Sequence, residues 1–176
     1  MAKVGIFFGT DTGNTRKVAK TIAKHLGDAT GKPDNIKNVS VDDLLAYDIL
    51  ILGSPTYGEG ELPGLTAGTS TESWEEFLPG LAGADFSGKT IALFGLGDQE
   101  GYPDNFVDAL GMLYDAFADC GANFVGFTST EGFNFNSSKA VMDDQFVGLV
   151  LDEDNQKEQT EARIANWLQD IESNWA

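Results

Sequence analysis

The chain has 176 residues, 41% of them hydrophobic, and a formal net charge of −17. That length suits one domain (residues 1–176) with a sizeable core, and the acidity argues against nucleic acid and anionic membranes as partners. No apolar run approaches the roughly 20 residues of a membrane span and no charged-then-apolar leader opens the chain; the single cysteine, Cys120, excludes an internal disulfide, so a cytoplasmic protein is expected.

Val4–Phe8 is a continuous apolar run, the pattern of a strand buried on both faces. It stops at Gly9-Thr10-Asp11-Thr12-Gly13-Asn14-Thr15, after which Val18, Ala19, Ile22, Ala23 and Leu26 mark one stripe of a helix ending at Gly27. Strand, tight turn and helix N-terminus together offer free N–H groups and a positive dipole end to an anion. Thr10, Thr12, Asn14 and Thr15 add neutral donors, and no lysine follows the glycine as it does in a nucleoside-triphosphate loop. The loop suits one terminal phosphate; the alternative is that Thr12 or Asn14 only caps the helix.

Gly31 and Pro33 lead to a short strand over Ile36–Val39, and Ser40 caps a brief helix over Val41–Ala46 with Asp43 in its first turn. Ile49–Leu52 is the next buried strand, followed by a glycine-rich loop from Gly53 to Glu61 around Tyr57. Trp74, Phe77 and Leu78 predict a helix before Pro79. Thr90–Phe94 reads as a strand, with Gly95-Leu96-Gly97-Asp98 and then Tyr102 and Asn105 beyond it. Phe106, Leu110, Leu113 and Phe117 fall at helical spacing until Gly121, which places Cys120 in or beside the core. Phe124–Phe127 is a strand whose continuation, Phe146–Leu151, follows a polar insert at about 128–145. Ile164, Trp167, Leu168, Ile171 and Trp175 predict a closing amphipathic helix. His25, the only histidine, sits on the first helix with no metal-ligating cluster around it, so no metal site is expected.

Alternating strand and helix imply an α/β fold: a parallel sheet covered by helices on both faces, with ligands outside the carboxyl ends of the strands. The three loops 9–15, 53–61 and 95–105 then converge on one edge. Tyr57 and Tyr102, on the two loops flanking the phosphate-type turn, suit a flat ligand held between rings; alternatively they only cover the sheet edge. Gly95-x-Gly97 lacks the third glycine of a dinucleotide fingerprint.

Thr10-Asp11-Thr12-Gly13-Asn14-Thr15, Pro55-Thr56-Tyr57-Gly58, Gly97-Asp98-Gln99 with Gly101-Tyr102, and Leu151-Asp152-Glu153-Asp154-Asn155-Gln156 together resemble the flavodoxins, over essentially the whole chain. The resemblance implies a doubly wound, five-stranded sheet in the order 2-1-3-4-5, an order for which flavodoxins are themselves a standard example, and a noncovalent FMN at the switch point. The insert resembles the loop that splits the fifth strand in the long-chain subgroup. Gly58-Glu59-Gly60-Glu61-Leu62-Pro63-Gly64 resembles flavodoxins of nitrogen-fixing bacteria that donate electrons to nitrogenase. Carried over by residue, Thr10, Asp11, Thr12, Gly13, Asn14 and Thr15 form the phosphate loop, and Ser54, Pro55 and Thr56 line the ribityl chain or ring edge. Tyr57, where long-chain relatives often carry Trp, covers one face of the isoalloxazine and Tyr102 the other. Leu96, Gly97, Asp98, Tyr102 and Asn105 shape the pyrimidine edge. In such relatives the peptide after the inner-face aromatic turns over as flavin N5 gains a proton; here that peptide would join Gly58 to Glu59.

The implied function is low-potential one-electron transfer with no catalytic residue: FMN supplies the redox chemistry and the protein tunes it. Acidic loops and limited water access disfavour added negative charge on the flavin, which keeps the potential low. Residues 1–40 carry seven of the eleven Lys/Arg against three acids, whereas residues 41–176 carry four against 25. Such a dipole orients an acidic face toward basic redox partners. The resemblance implies a monomer with a reductase or oxidoreductase as donor and the nitrogenase iron protein as acceptor. Two other readings use similar folds. An FMN-dependent quinone reductase needs an open nicotinamide site beside the flavin. A phospho-receiver needs acids at the ends of strands one and three, where this chain has Gly9-Thr10 and Gly53-Ser54.

Overall fold

A computed structural model describes residues 4–10 and 13–175. In chain order it contains β1 (Val4–Phe8), α1 (Asn14–Leu26), β2 (Asp34–Asn35), α2 (Val41–Leu45), β3 (Ile49–Pro55), α3 (Trp74–Phe77), β4 (Thr90–Leu96) and α4 (Asp108–Ala118). There follow β5 (Asn123–Val125), β6 (Thr128–Ser129), β7 (Val141–Met142), β8 (Gln145–Phe146), β9 (Leu149–Leu151) and α5 (Thr160–Glu172).

The strands of the main sheet are parallel and lie in the order β2-β1-β3-β4-β5, with β9 also on β4. Successive strand residues point to opposite faces, so each apolar run divides its side chains between two helical layers. Ile6, Phe8, Ile49 and Ile51 pack with Val18 and Ile22 of α1 and Ile164 and Trp167 of α5. Phe7, Leu50 and Leu52 pack on the other face with Leu44 of α2, Trp74 of α3 and Leu110 and Phe117 of α4. Full burial of each such side chain contributes about 1.5–3 kcal/mol, enough to explain why both faces are covered. No described helix is long and apolar enough to cross a membrane.

The connections leave β1 in one direction toward β2 and then return across it to β3. The loops after β1 and β3 therefore part at this reversal, which opens a crevice at the carboxyl ends of the strands.

Three elements differ from the sequence reading. The second strand occupies Asp34–Asn35 rather than 36–39, because the Asn35 side chain accepts the Lys37 amide at 3.1 Å and bends Ile36–Asn38 into a 3-10 turn. Ile36 is still buried, but from the turn. Pro79 lies within a 3-10 turn, Leu78–Leu81, that prolongs α3, where an imino residue in the first turn needs no donor. The fifth strand position is filled twice: β5 pairs with Thr90–Ala92 and β9 with Phe94–Leu96. Between them β6, β8 and β7 form a small antiparallel sheet, so the segment expected as one strand over 146–151 is shared between two sheets.

Candidate functional site

The turn after β1 runs into the N-terminus of α1. Gly13 occupies the N-cap position of α1 at φ 98, and the first turn of the helix contains no acid. Asn14 is already the first helical residue, so it is not the cap; Asp11 and Thr12 lie outside the described residues. Thr10 Oγ1 accepts the Gly13 amide at 3.0 Å and closes the turn, and the Thr15 side chain is buried beneath it. Thirteen residues of aligned peptide dipoles thus end on N–H groups with no acid in the helix's own first turn and, among the described residues, no side-chain cap. Gly9 makes the turn possible. A Cβ there would come 2.4 Å from Ser73 Oγ and 2.6 Å from the Trp74 ring.

The N-terminus of α1 opens into a cleft of about 420 Å³, within the roughly 300–1,000 Å³ of small-molecule sites. Asn14, Thr15, Pro55, Thr56, Tyr57, Leu96, Gly97, Asp98, Tyr102 and Asn105 all line it. Thr56 is pinned from both sides: its amide donates to Leu96 O at 3.1 Å, and its Oγ1 accepts the Ala109 amide at 3.1 Å. Tyr57 and Glu61 exchange both backbone hydrogen bonds, at 2.9 and 2.7 Å, which closes the turn through Gly58 and holds the tyrosine at the rim. Gly58 sits at φ 48, exposed, off the cleft lining. Ser54 is fully buried and donates to Pro55 O at 2.8 Å, so its hydroxyl supports the loop from behind. Thr10 and Gly13 border a separate shallow depression of about 220 Å³ with Arg16 and Lys37.

On the opposite wall Tyr102 lines the cleft and is 45% exposed. Its amide donates to Asp98 O at 2.9 Å, and Asp98 Oδ1 accepts from the amides of Gly101 (2.8 Å) and Glu100 (3.1 Å) and from Asn155 Nδ2 (2.8 Å). The Gly101 N–H above all holds the Asp98 carboxyl below the usual range, with Asn155 and Glu100 acting in the same sense and partial burial opposing them. Asp98, Asp152 and Asp154 bring one oxygen each within 4.8 Å of one another. Both Asp152 oxygens and Asp98 Oδ1 are already engaged by N–H donors, the chemistry of a hydrogen-bonded hub rather than of a cation site.

The flavodoxin family model matches residues 6–167. The chain belongs to the flavodoxin family. It is 57% identical over 171 residues to a flavodoxin of Klebsiella pneumoniae, covering 97% of each chain, and 47% identical over 174 residues to flavodoxin 1 of Escherichia coli K12, covering 97% of this chain and 93% of that one. Among solved structures it resembles Fusobacterium nucleatum flavodoxin bound to flavin mononucleotide, with a TM-score of 0.90, 34% identity and all of both chains covered. The long-chain resemblance and the parallel, doubly wound architecture read from the sequence agree with these relatives.

Four residues of this flavodoxin line the cleft without having been expected there: Phe106, Val107, Glu153 and Asp154. Glu153 and Asp154 stand in a segment that carried the resemblance, Leu151–Gln156, so their position at a strand end was the available signal. Phe106 had been assigned to the core by its helical spacing, and it serves both purposes. Val107 had no signal. It adopts the left-handed region, φ 49 and ψ 33, at the N-cap of α4, which a β-branched residue rarely does.

Proposed function

We propose that this chain is an electron-transfer protein rather than an enzyme, a low-potential one-electron carrier that holds FMN noncovalently in the cleft between Tyr57 and Tyr102. One observation carries the reading: the N-terminus of α1, with no acid in its first turn, opens into the same cleft as two tyrosines from separate loops. The donor set suits a phosphate at one end and a flat ring system at the other. FMN supplies reversible redox chemistry when bound.

In this reading Thr10, Asn14, Thr15 and the α1 amides hold the phosphate, with Asp11, Thr12 and Gly13 completing the loop. Pro55 and Thr56 run beside the ribityl chain and ring edge, with Ser54 bracing them. Tyr57 and Tyr102 cover the two ring faces, and Leu96, Gly97, Asp98 and Asn105 border the pyrimidine edge. Asp98, Glu153 and Asp154 put negative charge around the ring, so added electron density there is disfavoured and the electron leaves readily.

The family implies redox protein partners, and their identity is inferred more finely from charge and likeness. Glu59, Glu61, Glu100, Asp104 and Asp154 are exposed on the loops that surround the cleft. We assign to this acidic face the docking of a basic reductase or oxidoreductase as donor and of the nitrogenase iron protein as acceptor, supported by the likeness to the Klebsiella protein. A monomer of one domain in the cytoplasm completes the proposal.

A titration with FMN and with riboflavin tests the reading. FMN binding should quench flavin fluorescence, and riboflavin should bind far more weakly, because each lost charge-assisted hydrogen bond costs roughly 1.5–3 kcal/mol. Equal affinities, or no flavin binding at all, would overturn it.

A further inference from the structure

Tyr102 donates its amide to Asp98 O and accepts the Asn105 amide at 3.3 Å, and it is exposed, so its place at the cleft is inherited from the turn that carries it. That turn is anchored by Gln99, whose side chain points away from the cleft and is 4% exposed. The Gln99 amide and Nε2 both donate to Asp152 Oδ2, at 3.1 and 2.7 Å, while its Oε1 accepts the Asn134 amide of the insert at 2.7 Å. Asp152 is fully buried at the end of β9, and its oxygens take three more donors, from Asn155 Nδ2 and the amides of Asp154 and Asn155. One primary amide thus ties the tyrosine turn, the carboxyl end of the sheet and the insert at a single buried point.

We propose that Gln99 is a positioning residue of the flavin site: it fixes Tyr102 against the ring through Asp152 and transmits the docking of the insert to that wall. The inference rests on the FMN reading of the cleft. The chemistry at this point accepts few substitutes. Asp152 needs donors on Oδ2, and the Asn134 N–H needs an acceptor, so only a side chain with both ends satisfies the pair; a buried carboxylate that loses donors is costly. The remainder of the wall leans on the same insert, since the amides of Asn136 and Ser137 donate to Pro103 O at 2.7 and 3.0 Å, and the Phe106 amide donates to Ser137 O at 3.2 Å.

The test uses the whole chain with two substitutions, Gln99→Met and Gln99→Glu. Gln99→Met keeps the length and removes both side-chain partners. FMN should then bind about tenfold or more weakly, the loss of one or two hydrogen bonds to a charged group. The visible circular dichroism of bound FMN and its midpoint potential should shift, and the amides of 99–102 should exchange faster in the FMN-free protein. Gln99→Glu keeps the acceptor for Asn134 but sets a carboxylate against Asp152, near Asp98, Glu153 and Asp154, with Arg163 the cation that Asp152 already attracts. It should behave like Gln99→Met at neutral pH and regain the parent's affinity and dichroism in acid, once the introduced carboxyl carries a proton to donate, each read against the parent at the same pH.

A lowered unfolding midpoint with the FMN dissociation constant, dichroism and potential all at parental values would show a merely structural glutamine and overturn the proposal. So would a Gln99→Glu protein indifferent to pH. If Gln99→Met does not fold, the pH pair on Gln99→Glu decides. A parent that fails to bind FMN would instead sink the functional reading, so the two failures are told apart.

Discussion

Trp74 donates its indole Nε1–H to the carbonyl oxygen of Gly53 at 2.8 Å, and that same oxygen accepts the Gly9 amide at 3.0 Å. One carbonyl in the last residues of β3 therefore ties together the start of the phosphate-type turn and the first residue of α3. Trp74 is completely buried, with its ring edge-on to Phe77 and Phe117. Trp74→Phe keeps an aromatic ring but deletes the donor, so it should lower unfolding stability by about 1–3 kcal/mol. It should also weaken FMN binding, because the turn loses a brace. Urea unfolding and a flavin titration of the same variant check both; an unchanged FMN affinity would confine Trp74 to the core.

Gly58 sits at φ 48 with room for a side chain: an added Cβ would make only ordinary contacts with the Glu61 carboxyl, Oε1 at 3.5 Å and Cδ at 3.8 Å. Steric room is not its purpose, so backbone freedom is. The positive φ is already present, so a β-branched residue would cost roughly 1–3 kcal/mol in this turn, and the peptide turn that the resemblance implies at 58–59 would lose the freedom glycine gives it. Gly58→Val should leave oxidised FMN bound and lower the long-wavelength absorbance reached midway through a reductive titration. A variant that reaches the parent's absorbance would make this glycine a turn residue and nothing more.

The Asp98 and Asp154 carboxyls are shifted in opposite directions. Asp154, though exposed, is pushed above its ordinary 3.8 by partial desolvation, then by the charges of Asp98, Asp152 and Glu153. A raised folded-state value means stability that is fully present below the unfolded value and lost as pH rises through the folded one. Asp154→Asn should accordingly be more stable than the parent at neutral pH and equal to it in strong acid. Asp98, held below 3.8, contributes stability above that value and loses it as pH falls through the depressed one, so Asp98→Asn should cost stability at neutral pH and nothing in acid. Chemical unfolding at two pH values checks both signs.

Electron transfer to a basic partner should slow as salt is added, because the exposed acids around the cleft act over a screening length of about 10 Å at 0.1 M. Glu59→Lys and Glu100→Lys, on opposite walls, should each flatten that dependence. A stopped-flow salt series in which transfer follows docking decides; a flat parent rate would remove the acidic face from the account.

The core strands and the cleft were legible because burial writes itself into sequence as long apolar runs ending in glycine and hydroxyl residues. Val4–Phe8 and Ile49–Leu52 are such runs, and their loops do converge. The second strand was not legible, since an edge position pairs through only two residues and Asn35 diverts the chain by a side-chain bond that no periodicity records. Ser54 showed a hydroxyl without showing its direction, and the structure turns it inward to Pro55. The insert revealed its polarity but not its task, because its bonds to Gln99 and Pro103 use backbone groups of Asn134, Asn136 and Ser137. Main-chain donors are the same in every residue, so such docking leaves no trace in composition. Val107 is the extreme case, a conformation that its own side chain disfavours and that only its surroundings impose.

The divided fifth strand has a consequence for how these molecules meet one another. An open sheet ends in rows of unpaired amides and carbonyls that invite a second chain to add itself. Here one margin ends in the two-residue β2, and the other is cut into three-residue pieces, β5 and β9, with the β6-β8-β7 sheet interposed. Neither margin offers the six or so consecutive residues that cross-chain stacking exploits. Along both margins, among the described residues, a neighbouring copy's backbone therefore finds little to grip.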